Sequence, residues 1–144
     1  MAFDTKKILL IIAGVALLFV LLAGSIVWFV FQMTAAPVRM AREHLEALNQ
    51  NDYPRAYSHL SRSLQAELSL DNFTNLVQQN PQVFKTRDST FSSRKIENDV
   101  CTLRGTLTNT EGGVTPVRIT LVKEGDQWRI RGFRWGEGAT EDKD

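Results

Sequence analysis

The sequence predicts an α+β protein, in which a single N-terminal transmembrane helix precedes a cone-shaped domain of three helices packed on a curved four-stranded antiparallel sheet. Residues 8–31 contain no charged side chain. Apolar residues then recur every three to four positions up to about residue 80, and every two positions from about Thr90 to Trp135. Helical signals that precede strand signals, instead of alternating with them, are typical of helices packed on one face of an antiparallel sheet.

The uncharged segment 8–31 is long enough to cross a bilayer. As a helix it would extend about 36 Å, and the hydrocarbon layer is about 30 Å thick. Trp28 and Phe29 lie near its far end, where aromatic rings favour the interface. A cleaved signal peptide is the alternative, with Lys6 and Lys7 as its basic region. The apolar run exceeds the ~7–15 residues of such peptides and is followed by a poor cleavage site, so the sequence favours an uncleaved anchor.

The charges around the apolar segment predict its orientation. The residues before it are few and include two lysines, which favours an N-terminus in the cytoplasm, whereas Arg39 and Arg42 on the other side weaken this preference. The predicted protein is therefore a single-pass protein of the inner (cytoplasmic) membrane, with its C-terminal domain in the periplasm or outside. The expected divisions are a cytoplasmic tail at 1–7, the transmembrane helix at 8–31, a linker at 32–36, the α+β domain at 37–136 and a disordered tail at 137–144.

Three amphipathic helices are expected in the domain. Pro37 can begin the first, because proline's missing N–H costs nothing in a first turn. Asp52 and Ser69 can cap the second and third, and Asn80-Pro81 ends the third. Each helix has one apolar stripe, and "SRSLQAEL" between the second and third indicates a further short turn or helix. The stripes consist of Val38, Ala41, Leu45 and Leu48; Tyr53, Ala56, Tyr57 and Leu60; and Leu70, Phe73, Leu76 and Val77.

Four strands follow, beginning with a polar one at about Phe91–Glu97 that suits a sheet edge. Residues 100–108 and 117–121 alternate cleanly, with "NTEGG" and "KEGD" as the turns. In the last strand, "DQWRIRGFRW", the alternation slips by one position at Gly132, which predicts a β-bulge. Its large aromatic residues are then expected to face the helices and its arginines the solvent.

Composition excludes several functions. Lys and Arg total 17 and Asp and Glu total 16, so no strong positive field favours a polyanion, and no nucleic-acid partner is expected. Cys101 is the one cysteine, which rules out an intramolecular disulfide and a cysteine-based metal cluster. We expect it to be a core residue.

Candidate catalytic groups are few, and the chain is not expected to be an enzyme. His44 and His59 fall beside the apolar stripes, so both are expected at the surface. Tyr57 is the one polar-tipped side chain expected inside the domain. We find no His-x-x-x-His, Gly-rich phosphate loop or Gly-x-Ser-x-Gly pattern in the sequence, and expect no catalytic residue, metal or cofactor.

Three segments carry a family resemblance, namely "HLEALNQNDYPRAYSHLS", "LSLDNFTNLVQQNP" and "GDQWRIRGFRW". They are similar to the first two helices, the third helix and the last strand of the nuclear-transport-factor-2-like (NTF2-like, cystatin-like α+β) superfamily, of the bacterial membrane-anchored type. The resemblance spans residues 38–135 and implies a sheet curled around an apolar interior. Members use this fold as an active site, a ligand site or an assembly module. One membrane-anchored group forms a periplasmic scaffold in type IV secretion machines. This chain shares its layout but is shorter, so no role is carried over.

These observations favour a non-enzymatic accessory subunit that binds or scaffolds other proteins beside the membrane. Its expected partners are membrane lipid, through the transmembrane helix, and a membrane or envelope protein complex or a second copy of the chain. The expected partner surface is the outer sheet face, with Arg104, Arg118, Arg129 and Arg131. The alternative is a module that holds a small apolar ligand in a cone lined by Tyr57, Phe73, Phe84, Leu103, Trp128 and Trp135; an enzyme with its active site in the cone is third.

Overall fold

The computed structural model describes residues 4–141, and the chain forms two compact units, Met1–Ala35 and Ala36–Asp144. Helix α1, Thr5–Asn49, runs through the boundary and includes Pro37. The linker expected at 32–36 is therefore helical. Its Gln, Met and Ala residues are good helix formers, so the helix continues through the segment. Pro37, which was predicted to begin a separate helix, lies inside α1.

The first unit consists of the apolar half of α1. Within the described chain, α1 is the single helix whose length and apolar composition would allow it to cross a membrane. Its most apolar window of 18 residues has a mean hydropathy of 2.9, and none of that window is buried inside the protein. Such a surface is stable in contact with lipid and costly in water.

The second unit begins with the end of α1 and four short helices. Side chains cap three of these helices as hydrogen-bond acceptors: Asp52 accepts from Arg55 N at 3.3 Å, Ser61 from Leu64 N at 3.2 Å and Ser69 from Asn72 N at 3.2 Å. The caps predicted at Asp52 and Ser69 are thus confirmed. The four helices are α2 Tyr53–Ser58, α3 Arg62–Glu67, α4 Leu70–Gln79 and α5 Pro81–Phe84.

Four antiparallel strands form one open sheet, as predicted, in the order β1-β2-β3-β4. They are β1 Thr86–Glu97, β2 Val100–Asn109, β3 Val114–Glu124 and β4 Gln127–Trp135. β1 starts before the predicted position. Its first residues are polar and gave no strand pattern, but they pair with the end of β2. The bulge predicted at Gly132 is confirmed: Thr120 pairs with Gly132 and Leu121 with Ile130, which leaves Arg131 as the extra residue.

The tail expected to be disordered from residue 137 begins with a further short helix, α6 Glu137–Thr140, whose Ala139 is buried. The small and charged residues of this segment show no apolar periodicity that would predict a helix, because its apolar contact comes from the single methyl group of Ala139. Residues 142–144 of that tail lie outside the described residues.

The helices cover one face of the sheet, and the apolar residues of both meet there. On β2 and β3 the buried residues alternate as predicted, and Trp128, Phe133 and Trp135 of β4 pack against them. Cys101 is fully buried, which confirms it as a core residue, and this burial raises the pKa of its thiol to about 11. The buried sheet residues are Cys101, Leu103, Leu107, Val117, Ile119, Leu121 and Ile130.

Two polar side chains tie the end of α1 to the start of β1. The Asn49 amide donates to the carbonyl and the hydroxyl of Thr86, at 2.8 and 3.0 Å. In return, Thr86 N donates to Asn49 Oδ1 at 2.8 Å. Because Thr86 is buried, these bonds satisfy backbone groups that would otherwise lack water.

Candidate binding surfaces

The outer face of the sheet carries a row of three arginines. Arg104 of β2 pairs with Arg118 of β3, and Arg118 pairs with Arg134 of β4. Arg104 and Arg118 have the opposite parity to the buried residues of their strands, and Arg134 lies after the bulge, between Phe133 and Trp135, which pack on the core. All three therefore lie on the face away from the helices. Arg104 and Arg118 are half-buried and Arg134 is exposed. We call Arg104, Arg118 and Arg134 the arginine row.

The arginine row concentrates positive charge on the outer face. Directly opposite residues in an antiparallel pair have Cβ atoms about 5 Å apart, and like charges at that spacing are destabilising. The neighbouring outward pair, Thr102 and Thr120, contributes hydroxyl groups and no charge. This arrangement favours the approach of carboxylates or other anions.

The sequence placed Arg129 and Arg131 on the same surface, and the structure places their side chains elsewhere. The Arg129 guanidinium donates to the carbonyl of Ser58 at 2.6 Å, at the end of α2, and to Gln127 Oε1 at 2.6 Å. Arg131, the extra residue of the bulge, lies 3.9 Å from the Glu67 carboxylate of α3. The pairing of strands therefore brings together Arg104 and Arg118 from the predicted set and adds Arg134.

The six side chains expected to line a cone are distributed over separate environments. Leu103 is fully buried in the sheet. Phe84 packs against Trp135, with ring centroids 5.3 Å apart, while Phe73 packs against Tyr57 at 5.8 Å in a second cluster. The remaining residue, Trp128, is half-buried and lines a groove at the surface.

Tyr57 is held by the short helix that follows it. Its hydroxyl lies 2.7 Å from the carbonyl of Leu68 and 3.2 Å from that of Gln65, and it can donate to either of them. The end of helix α3 supplies these acceptors, because the C-terminal carbonyls of a helix lack intrahelical partners.

The expectation that His44 is exposed is wrong. Its side chain is 2 % exposed, and its Nδ1 lies 3.1 Å from the carbonyl of Ala56. Burial, with a smaller contribution from neighbouring His59, lowers the pKa of His44 to about 3. His44 is three residues after Ala41 and four before Leu48, so helical spacing alone would have placed it on the inner face. The prediction failed because a polar ring was assumed to face solvent.

His59 lies between the interior and the groove. It is half-buried, its ring stands edge-on to His44 with centroids 5.7 Å apart, and its Nδ1 is buried without a hydrogen-bond partner among the described residues. Burial lowers the pKa of His59, an effect that Glu43 opposes and Arg55 and Arg129 reinforce. The two imidazole rings therefore form a polar pair between the core and the groove.

The groove that Trp128 lines lies between α1 and the start of β4. It has a volume of about 350 Å³. Its walls combine apolar surface from Met40 and Trp128 with charges of both signs, positive on Arg39 and Arg129 and negative on Glu43 and Asp126. The lining is completed by Ala36, His59 and Gln127.

Helices on one face of an open, four-stranded antiparallel sheet agree with the NTF2-like fold. Solved structures show the same fold: the chain aligns with a Campylobacter jejuni protein provisionally designated an NTF2-like transpeptidase, at a TM-score of 0.56 and 16% identity, over 67% of this chain and 97% of the other. It also aligns with an NTF2-like protein of unknown function from Silicibacter pomeroyi, at a TM-score of 0.54 and 16% identity, over 74% and 96%. At such identities the likeness concerns the fold alone.

The chain belongs to the family described as "Domain of unknown function (DUF4864)", whose profile matches residues 32–141. No curated protein matches the chain. The family match covers nearly all of the second unit and leaves out the whole of the apolar segment 8–31.

Proposed function

We propose that this protein is a non-enzymatic interaction subunit, anchored in the membrane by residues 8–31, which binds an acidic segment of a membrane or envelope protein through the arginine row. The observation that carries the proposal is the register of the outer face, where Arg104, Arg118 and Arg134 are cross-strand neighbours. The row brings three guanidinium groups onto adjacent strands, and guanidinium groups are well suited to bind carboxylates.

Membrane anchoring supports such a role for a small neutral domain. Tethering to the bilayer raises the effective concentration of the domain for any partner in the same membrane, so a modest surface suffices for binding. The proposed orientation has the N-terminus in the cytoplasm and the domain on the outer side. It rests on Lys6 and Lys7 before the apolar segment.

The test is a comparison of two triple variants of the full-length protein, extracted in mild detergent from its native membrane. In the row variant, Arg104, Arg118 and Arg134 become glutamine. In the matched control, the exposed Arg62, Arg87 and Arg94 become glutamine, which removes the same charge from other surfaces.

A protein that co-purifies with the wild type and the control should be lost or bound at least about tenfold more weakly by the row variant, since each lost ionic hydrogen bond weakens binding substantially. Its retention should also fall as salt is raised. Equal retention by both triple variants, with unchanged circular dichroism, would show that the arginine row does not bind the partner.

A further inference from the structure

We propose that the groove between α1 and β4 binds the headgroup of a zwitterionic phospholipid, namely a phosphoethanolamine group that is part of the membrane in which the chain is anchored. The inference rests on the proposed membrane anchoring but is independent of the arginine row. It concerns the groove lined by Arg39, Met40, Glu43, Asp126, Trp128 and Arg129.

The charges of the groove match a headgroup that carries one charge of each sign. Arg39 and Arg129 can bind a phosphate, for which guanidinium groups are well suited. Arg129 is already held by Ser58 and Gln127, so its orientation costs little further entropy on binding. Glu43 and Asp126 can accept hydrogen bonds from a primary ammonium, which has three donors.

The apolar part of the groove suits the remainder of a lipid. Met40 and Trp128 are half-buried and line the same groove as the four charged residues. An indole ring with an apolar body and one N–H is the side chain that favours the boundary between headgroups and hydrocarbon. A volume of about 350 Å³ is in the range of sites that hold small ligands.

Chain connectivity keeps the groove near the bilayer, however the two units are arranged. Ala36, which lines the groove, follows Phe31, the last residue of the uncharged segment, by five positions. A fully extended chain of that length spans at most roughly 17 Å. The headgroup layer is itself roughly 5–7 Å deep on each side, so this wall of the groove begins within reach of lipid headgroups.

Helix α1 provides a matched control. Arg39 and Glu43 line the proposed site, whereas Arg42 and Glu46, three residues further on in each case, line a different cleft beside β1. All four residues are exposed, so their replacement by glutamine should leave the fold intact. General attraction of charges to the membrane would affect both pairs equally.

The experiment uses the full-length protein in nanodiscs that contain equal amounts of phosphatidylethanolamine, phosphatidylcholine and phosphatidylglycerol, followed by native mass spectrometry of retained lipids. Phosphatidylethanolamine should be enriched about tenfold over phosphatidylcholine, because only its ammonium donates hydrogen bonds. Arg39→Gln should reduce retention of every phospholipid. Glu43→Gln should remove mainly the preference for phosphatidylethanolamine, while Arg42→Gln and Glu46→Gln should behave like the wild type.

Equal retention of the three lipids, or equal effects of the two pairs of variants, would overturn the proposal. A parallel titration with soluble O-phosphoethanolamine distinguishes the source of the headgroup. If the soluble compound binds to the Arg39 and Glu43 site while the nanodiscs show no lipid preference, the assignment to a membrane lipid is wrong. Failure of the protein to enter nanodiscs at all would instead refute the anchoring itself.

Discussion

Replacing Gly105 by alanine tests how the sheet bends between β1 and β2. Gly105 is on the inward side of β2, opposite Phe91, and the β1 bulge at 91–93 follows directly. A Cβ atom at this position would lie 1.8 Å from the carbonyl oxygen of Thr90 and 2.9 Å from the Cα of Phe91. Both contacts are with backbone, so no side-chain rotation can relieve them.

The expected cost follows from this geometry. The Thr90 carbonyl would have to move by more than 1 Å to reach even the 3.0 Å below which Cβ contacts are essentially never seen. Overpacking of this kind costs about 1–3 kcal/mol, and strand hydrogen bonds lost beside it about 1 kcal/mol each. We therefore expect the free energy of unfolding to fall by about 2–4 kcal/mol, which corresponds to a decrease in Tm on the order of 10–20 °C for a domain of this size.

Gly132→Ala is the matched control, since Gly132 is also a strand residue next to a bulge. The nearest atom to its added Cβ would be Thr120 Cβ at 3.9 Å, an ordinary contact. This substitution should change the stability by less than about 1 kcal/mol and can increase it, because alanine restricts the unfolded chain.

Denaturant unfolding of the full-length variants in detergent micelles, followed by circular dichroism, measures both effects. The sheet signal should be lost at a lower denaturant concentration in Gly105→Ala than in Gly132→Ala. Equal midpoints for the two variants would refute the claim that close backbone approach at Gly105 shapes the sheet.

Three further predictions concern pH, the link between α1 and β1, and orientation. Lowering the pH from 7 to 5 should cost about 2 kcal/mol through His44: its folded pKa of about 3 lies below the unfolded value of 6.5, so protons favour the unfolded chain. His44→Phe should remove that part of the pH dependence of denaturant midpoints; an unchanged slope would contradict it. Asn49→Ala should lower the free energy of unfolding by about 1–3 kcal/mol, measured in the same way, because it leaves the backbone N–H of buried Thr86 without its acceptor. A cysteine introduced at exposed Glu111 should react with a membrane-impermeant maleimide in intact spheroplasts, whereas buried Cys101 should not; labelling only after lysis would reverse the proposed orientation.

Much of the fold was predictable because it depends on local periodicity. The stripe on α1 and the alternation on β2 and β3 place the correct residues in the core, and the slip at Gly132 locates the bulge. On α4 the predicted stripe is correct for Phe73 and Val77, whereas Leu76 is 37 % exposed. Features without a local apolar pattern were not predicted from the sequence. They are the polar start of β1, the single-turn helix α5 and the buried ring of His44. In each of these, contacts from distant parts of the chain outweigh weak local preferences.

The binding surfaces divide in the same way. Parity along one strand is a local property, because successive side chains point to opposite faces, so the outward direction of Arg104 and Arg118 could be read from the chain. The register of β3 and β4 decides which arginine of β4 lies opposite Arg118. Because of the bulge, that residue is Arg134. The groove brings together Met40 and Trp128, which are far apart along the chain. No periodicity in either segment predicts that the two residues lie side by side. The groove exists because folding of the core brings residues 36–43 of α1 beside the start of β4.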